Sequence, residues 1–172
     1  AHAIATYKQS IDDAHLLGCR WARVLPLPER PDMPRYVAGL RELAEYTQSK
    51  KMRFLVENYG WMQGDVDAIP NLIRAIGRNV GAQPDTGNWT GETLRYAGLA
   101  KAFQHAVSCD FKAKELGPNG EHPAYDLHRC FETGWRAGFR GPWCIEYQHK
   151  DFATEVRGLR MVRDMLRGWM KA

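Results

Sequence analysis

The sequence predicts a parallel α/β fold, a wound sheet with helices outside, and three observations carry that expectation. Helical and strand-like hydrophobic patterns alternate from end to end, six of the first and five of the second. Strict alternation implies parallel strands joined by right-handed crossovers. Four carboxylates, Glu57, Asp85, Asp110 and Glu146, stand at or just past the ends of four successive strand-like segments, at intervals of 28, 25 and 36 residues. Each interval accommodates one strand, one helix and two short loops, the size of a βα repeat. Finally, five strands would fill a three-layer doubly wound sheet with no part missing, but the glycine-rich phosphate turns that often mark such sheets are absent, and the spacing of the acids suits a barrel.

The elements follow in order. Residues 6–17 read as a helix with Ile11, Ala14 and Leu17 on one side, and 19–25 as a strand halted by Pro26, Pro28, Pro31 and Pro34. A helix over 35–49 aligns Val37, Leu40, Leu43 and Ala44. The strand Arg53-Phe-Leu-Val-Glu57 precedes a helix over 66–76, where Ile69, Leu72, Ile73 and Ile76 form the clearest apolar face and Pro70 falls in the first turn. After the Val80–Asp85 segment, Thr90 is expected to cap a helix over 90–103 carrying Leu94, Ala97 and Leu99. The Asp110 strand leads to a loop with Gly117-Pro-Asn-Gly120, then to a helix capped by Asp126 and carrying Leu127, Cys130 and Phe131. The Glu146 strand and a helix over 151–170, with Val156, Leu159, Val162, Met165, Leu166 and Trp169 as contacts, complete the chain.

At 172 residues the chain suffices for one domain with a sizeable core. Its 24 Lys and Arg are scattered and the net charge is only +4, so nucleic acid is not an expected partner. No run of 18 apolar residues exists, and no membrane partner is expected. The four cysteines lack Cys-x-x-Cys spacing. Cys109 and Cys144 fall inside expected strands and read as reduced core residues, which favours a reducing, cytoplasmic compartment. The chain starts at Ala1 with no methionine, and is expected to be the remainder of something longer.

Acids returning to one end of parallel strands converge, and converging carboxylates need a cation or a proton between them. Glu57, Asp85, Asp110 and Glu146 therefore read as an all-oxygen ligand set for a hard divalent ion, Mg²⁺ or Mn²⁺. His105 is the alternative nitrogen ligand, but it falls near the start of its strand, at the opposite end. Lys112 lies two residues past Asp110 and points to the same side, suited to a sugar oxygen or a phosphate. Asn58 and Asn88 at strand ends suit hydroxyl recognition, Trp61 can stack on a sugar face, and His149 can line the rim. For each of these the ordinary structural role competes.

Several stretches resemble one family in combination: Leu55-Val-Glu-Asn-Tyr-Gly60, Pro84-Asp-Thr-Gly-Asn88, Asp110-Phe-Lys112 followed by Gly120-Glu121, Tyr125-Asp126, and Ala137-Gly-Phe-Arg-Gly141 leading into Cys144-Ile-Glu-Tyr147. This is similar to the sugar phosphate isomerase/epimerase group, with its xylose isomerase-like TIM barrels. Asp110 stands where the family commonly has histidine, and Gln148-His149 where it often has Glu-Gly. The resemblance implies a TIM-barrel-like domain over residues 1–172 that lacks the first two strands of the eight-stranded barrel. It implies a metal-dependent isomerase or epimerase of a sugar, sugar phosphate or related polyol, working through an enediolate with Glu57 and Glu146 as base and acid. A keto-polyol dehydratase of the same barrel, or a degenerate barrel that binds carbohydrate without turnover, remain alternatives. A nuclease of the related barrel would need a histidine-rich zinc cluster, which is missing. Exposed sheet edges would favour a homodimer.

Overall fold

A computed structural model describes residues 2–171. The described residues hold α1 (His2–Leu16), β1 (Trp21–Val24), α2 (Met33–Ser49), β2 (Arg53–Val56), α3 (Ala68–Ile76), β3 (Val80–Ala82), α4 (Glu92–Ala102), β4 (Cys109–Lys114), α5 (Leu127–Arg136), β5 (Trp143–Gln148) and α6 (Phe152–Trp169), with short 3-10 turns at Gly60–Gly64 and Phe103–His105. The expected alternation is present, with ends displaced by a few residues.

All strand pairs are parallel. β1, β2 and β3 lie side by side in register, Arg23 opposite Leu55 and Leu55 opposite Gly81. β4 and β5 pair along six residues, with Asp110 opposite Cys144 and Lys112 opposite Glu146. Two single bridges, Ala82 with Ala106 and Asp85 with Asp110, join β3 to β4. Among the described residues the result is a wall of five parallel strands, with β1 and β5 at its two ends.

Alternate residues of each strand face opposite sides. Outward, Val24, Phe54, Val56, Val80 and Ala82 pack on Ile11, Leu40, Leu43, Ile69 and Leu72 from α1, α2 and α3. Cys109, Phe111, Ala113 and Tyr147 pack on Leu99, Cys130, Phe131, Val162 and Leu166 from α4, α5 and α6. The second cluster is aromatic: Phe111 meets Trp143 and Trp169 edge-on at 5.6 and 6.3 Å between ring centres.

Asp32, Asp126 and Asp151 cap α2, α5 and α6 by accepting the backbone N–H of Arg35, Arg129 and Thr154. Thr90 does not cap α4. Gly91, at φ 83°, occupies that position and makes the turn no β-branched residue would make. Cys144 is also a correction. It is exposed, because it lies on the inward face of the edge strand β5, while Cys109 on the outward face is buried.

Candidate metal centre and acid–base pair

The inward face carries the polar residues. Register places Arg23, Leu55 and Gly81 on one level, and Lys112 and Glu146 on another. Glu57 immediately follows β2. Asp85 follows β3 on a turn whose backbone exchanges bonds with β4: the N–H of Thr86 donates to the carbonyl of Asp110, and that of Asp110 to the carbonyl of Pro84. Asp110 and Lys112 are on β4 itself and Glu146 on β5.

The structure brings Glu57, Asp85 and Asp110 together, each buried, with one carboxylate oxygen apiece lying within 4.8 Å of the others. Asn88 donates one amide to both Glu57 Oε1 (2.9 Å) and Asp85 Oδ2 (2.7 Å). Lys112 Nζ reaches Asp85 Oδ2 at 3.1 Å and Glu146 Oε1 at 2.9 Å. Thus all four predicted acids, with Asn88 and Lys112, belong to one network. Glu146 is its most open member, at 37% side-chain exposure against 2% for Glu57.

Local sequence explains this precision. Asp85 Oδ1 accepts the N–H groups of Gly87 (2.6 Å) and Asn88 (3.0 Å), a turn typical of aspartate. Gly87 has no room for a side chain: a Cβ there would lie 2.4 Å from Lys112 Cδ. Trp89 ties its indole N–H to the Asp85 carbonyl at 3.0 Å, and its ring fills the space beside Gly98. Thr86 Oγ1 accepts the Lys112 N–H, while the Tyr125 hydroxyl donates to the Lys112 carbonyl at 2.7 Å.

Burial dominates the electrostatics. It pushes Glu57 up to about 7, opposed by the Arg23 guanidinium, and Asp85 up to about 6, opposed by Lys112. Burial also raises Asp110, opposed by a hydrogen bond from Gln83 and by Arg23. For Lys112 burial acts downward, but Asp85 and Glu146 together hold its ammonium above the usual lysine range.

The other predicted residues are engaged in structural contacts. Asn58 is fully buried and spent on backbone: its amide donates to the carbonyls of Asp85 and Asn88 and accepts the Asp85 N–H. It shapes the Asp85 turn rather than facing a ligand. Trp61 packs on the α2–α3 core with the Arg30 guanidinium 5.1 Å over its ring. The His149 imidazole accepts the Asp151 N–H at 3.0 Å and organises the start of α6. His105 sits before β4, at the other end of the strand.

Two inward residues escaped the sequence reading. Arg23 Nη1 pairs with Glu57 Oε2, and with Asp110 Oδ2 at 2.7 Å. Gln83 donates to Asp110 Oδ1 at 2.7 Å. The available signal was parity: a charge inside an expected buried strand, and a polar residue two positions before Asp85.

The donor set suits a hard divalent ion: three buried carboxylates, oxygen donors only, converge on one point.

Comparison with known proteins agrees with this architecture. The family profile of xylose isomerase-like TIM barrels matches residues 1–171. The xylose isomerase domain protein of Planctomyces limnophilus superposes with a TM-score of 0.74 at 21% identity, covering 98% of this chain and 64% of that one. A xylose isomerase-like TIM barrel protein of Mycobacterium smegmatis, solved with magnesium, gives 0.71 at 15%, covering 96% and 67%. The D-allulose 3-epimerase of Methylomonas sp. gives 0.73 at 13%, covering 96% and 68%. The chain therefore spans about two thirds of the length of these structures. A different resemblance, 29% identity over 134 residues to large ribosomal subunit protein uL30 of Aeropyrum pernix, covers 64% of this chain and 83% of that protein. It accounts for less of the chain than the barrel profile does. Among the described residues no helix is long and apolar enough to cross a membrane. With a profile matched almost end to end, five parallel strands and structural neighbours of one architecture, the chain belongs to the xylose isomerase-like TIM barrel family.

Proposed function

We propose that this chain carries the metal-binding and proton-transfer face of a divalent-metal-dependent isomerase or epimerase. Its substrate would be a sugar, sugar phosphate or related polyol, reacting through an enediolate. The observation that supports this best is the unbroken polar line from Glu57 through Asn88, Asp85 and Lys112 to Glu146, each link between 2.7 and 3.1 Å. The two glutamates stand at the ends of one short network, with Asp85 between them.

On this reading Glu57, Asp85 and Asp110 hold Mg²⁺ or Mn²⁺, and Glu146 completes the set from the open side. The bound ion would supply positive charge to adjacent oxygens of a ketose, lowering the cost of removing a proton from the neighbouring carbon. Glu57, next to the ion, is placed to take that proton through a carboxylate oxygen. Glu146 returns one at the other end of the network. Lys112, held over Gly87, offers its ammonium to a substrate oxygen. Asn88 keeps Glu57 and Asp85 at fixed separation. Residues 1–172 would act as one partial barrel domain.

The test is proton exchange. The protein with Mn²⁺ and a panel of ketohexoses in D₂O should wash deuterium into the carbon beside the carbonyl and form the epimer or isomer. Glu57→Gln and Glu146→Gln should remove both signals. Exchange that survives in both variants would sink the assignment. One observation favours a second reading, binding without turnover: every oxygen of Glu57, Asp85 and Asp110 already accepts a bond from the chain. Saturable sugar binding with no deuterium incorporation would select it.

A further inference from the structure

Arg23 has no part in the chemistry above, yet it sits at the heart of the cluster. One nitrogen, Nη1, pairs with both Glu57 on the β2 side and Asp110 on β4. Those are two of the three carboxylates whose oxygens converge, so the guanidinium stands where a cation shared between them would stand. Two cations cannot share that point without strong repulsion at low effective dielectric.

The two basic residues of the cluster differ in how firmly they are held. Lys112 is braced by Thr86 and Tyr125 at its backbone and by Gly87 along its stem. The guanidinium of Arg23 is held differently. Its side chain is one third exposed, and the interactions that hold its head are the two carboxylates themselves. Of the two, Arg23 is the one free to leave.

We infer that Arg23 is a tethered counter-ion that a divalent cation displaces. While the ion is absent, the guanidinium holds Glu57 and Asp110 together across β2 and β4. When the ion enters, it takes both carboxylates and the guanidinium gives them up. The inference rests on the metal reading of the site. It makes this chain's affinity for the ion the result of a competition, weakened by whatever fraction of molecules keeps Arg23 in place.

The experiment is a Mn²⁺ titration followed by the electron paramagnetic resonance of the free ion, on wild type, Arg23→Met, Arg23→Gln and Arg23→Lys. Circular dichroism checks each fold, and Arg23→Gln carries the comparison if Arg23→Met does not fold. Removing the charge should tighten Mn²⁺ binding by about tenfold or more, while Arg23→Lys stays closer to wild type. Affinities equal to or weaker than wild type in the neutral variants would overturn the inference and leave the metal reading standing. No Mn²⁺ bound by any of the four proteins would overturn both.

Discussion

The two faces of the sheet are written by the same strands and behave as opposites. Along β2, Phe54 and Val56 turn outward into a packed aliphatic layer, while Leu55 and then Glu57 turn inward. Along β4, Phe111 turns outward among aromatic rings, and Asp110 and Lys112 inward among charges. The outward face gains free energy from every apolar group it hides. The inward face gives some back, because carboxylates removed from water are compensated only in part by Arg23, Lys112 and amide donors. β4 thus alternates between residues that stabilise and residues that cost. This difference makes the roles separable by mutation.

The largest expected effect is on the inward face. Glu57→Gln or Glu146→Gln should lower turnover by about 10²–10⁴-fold, the usual contribution of a positioned acid or base, measured as deuterium incorporation from D₂O. A loss under tenfold would mean that the inward face is not catalytic. Next is the outward face. Phe111→Ala should cost about 3–5 kcal/mol in urea unfolding, by lost burial and an unfilled space among Trp143, Trp169 and Phe131, with Mn²⁺ affinity unchanged in the folded fraction.

The third prediction sets stability against pH. Glu57 and Asp85 have folded-state values raised above those of the unfolded chain, so the unfolded chain gives up their protons first as pH rises. Their penalty is absent below about pH 4 and grows through pH 6 to 7, where it is fully present. The metal-free Glu57→Gln protein should therefore match wild type near pH 4.5 and exceed it at pH 8 by on the order of 1–3 kcal/mol. Equal stability at pH 8 would show that Arg23 fully offsets the buried charge. The smallest effect sharpens the boundary of the site. His149→Ala removes the acceptor for the Asp151 N–H, and should cost about 0.5–1 kcal/mol with turnover within twofold of wild type.

The two faces also differed in how readable they were. Outward residues are apolar and periodic, so the helices and strands could be placed to within a few residues from Ile69, Leu72 and Ile76 or Val162 and Leu166. Acids at strand ends stand out against that background, and Glu57, Asp85, Asp110 and Glu146 do meet in one network. Arg23 did not stand out, because its partners lie 34 and 87 residues away and its strand is short. Asn58 misled for a related reason. An asparagine beside a candidate catalytic glutamate looks like a ligand contact, and only the fold reveals that its amide is consumed by the next turn. Thr90 looked like a cap because residue type alone cannot tell which of two neighbours takes the φ of 83°.

The exposed Cys144 has a practical consequence. Its thiol sits opposite Asp110 in the strand register and shares the inward side with Glu146, two positions along β5. With the other exposed cysteine, Cys19, replaced by serine, Cys144 becomes a single attachment point for a fluorophore or a spin label. Ligand arrival inside the half-open wall can then be watched directly, in protein that need not turn anything over.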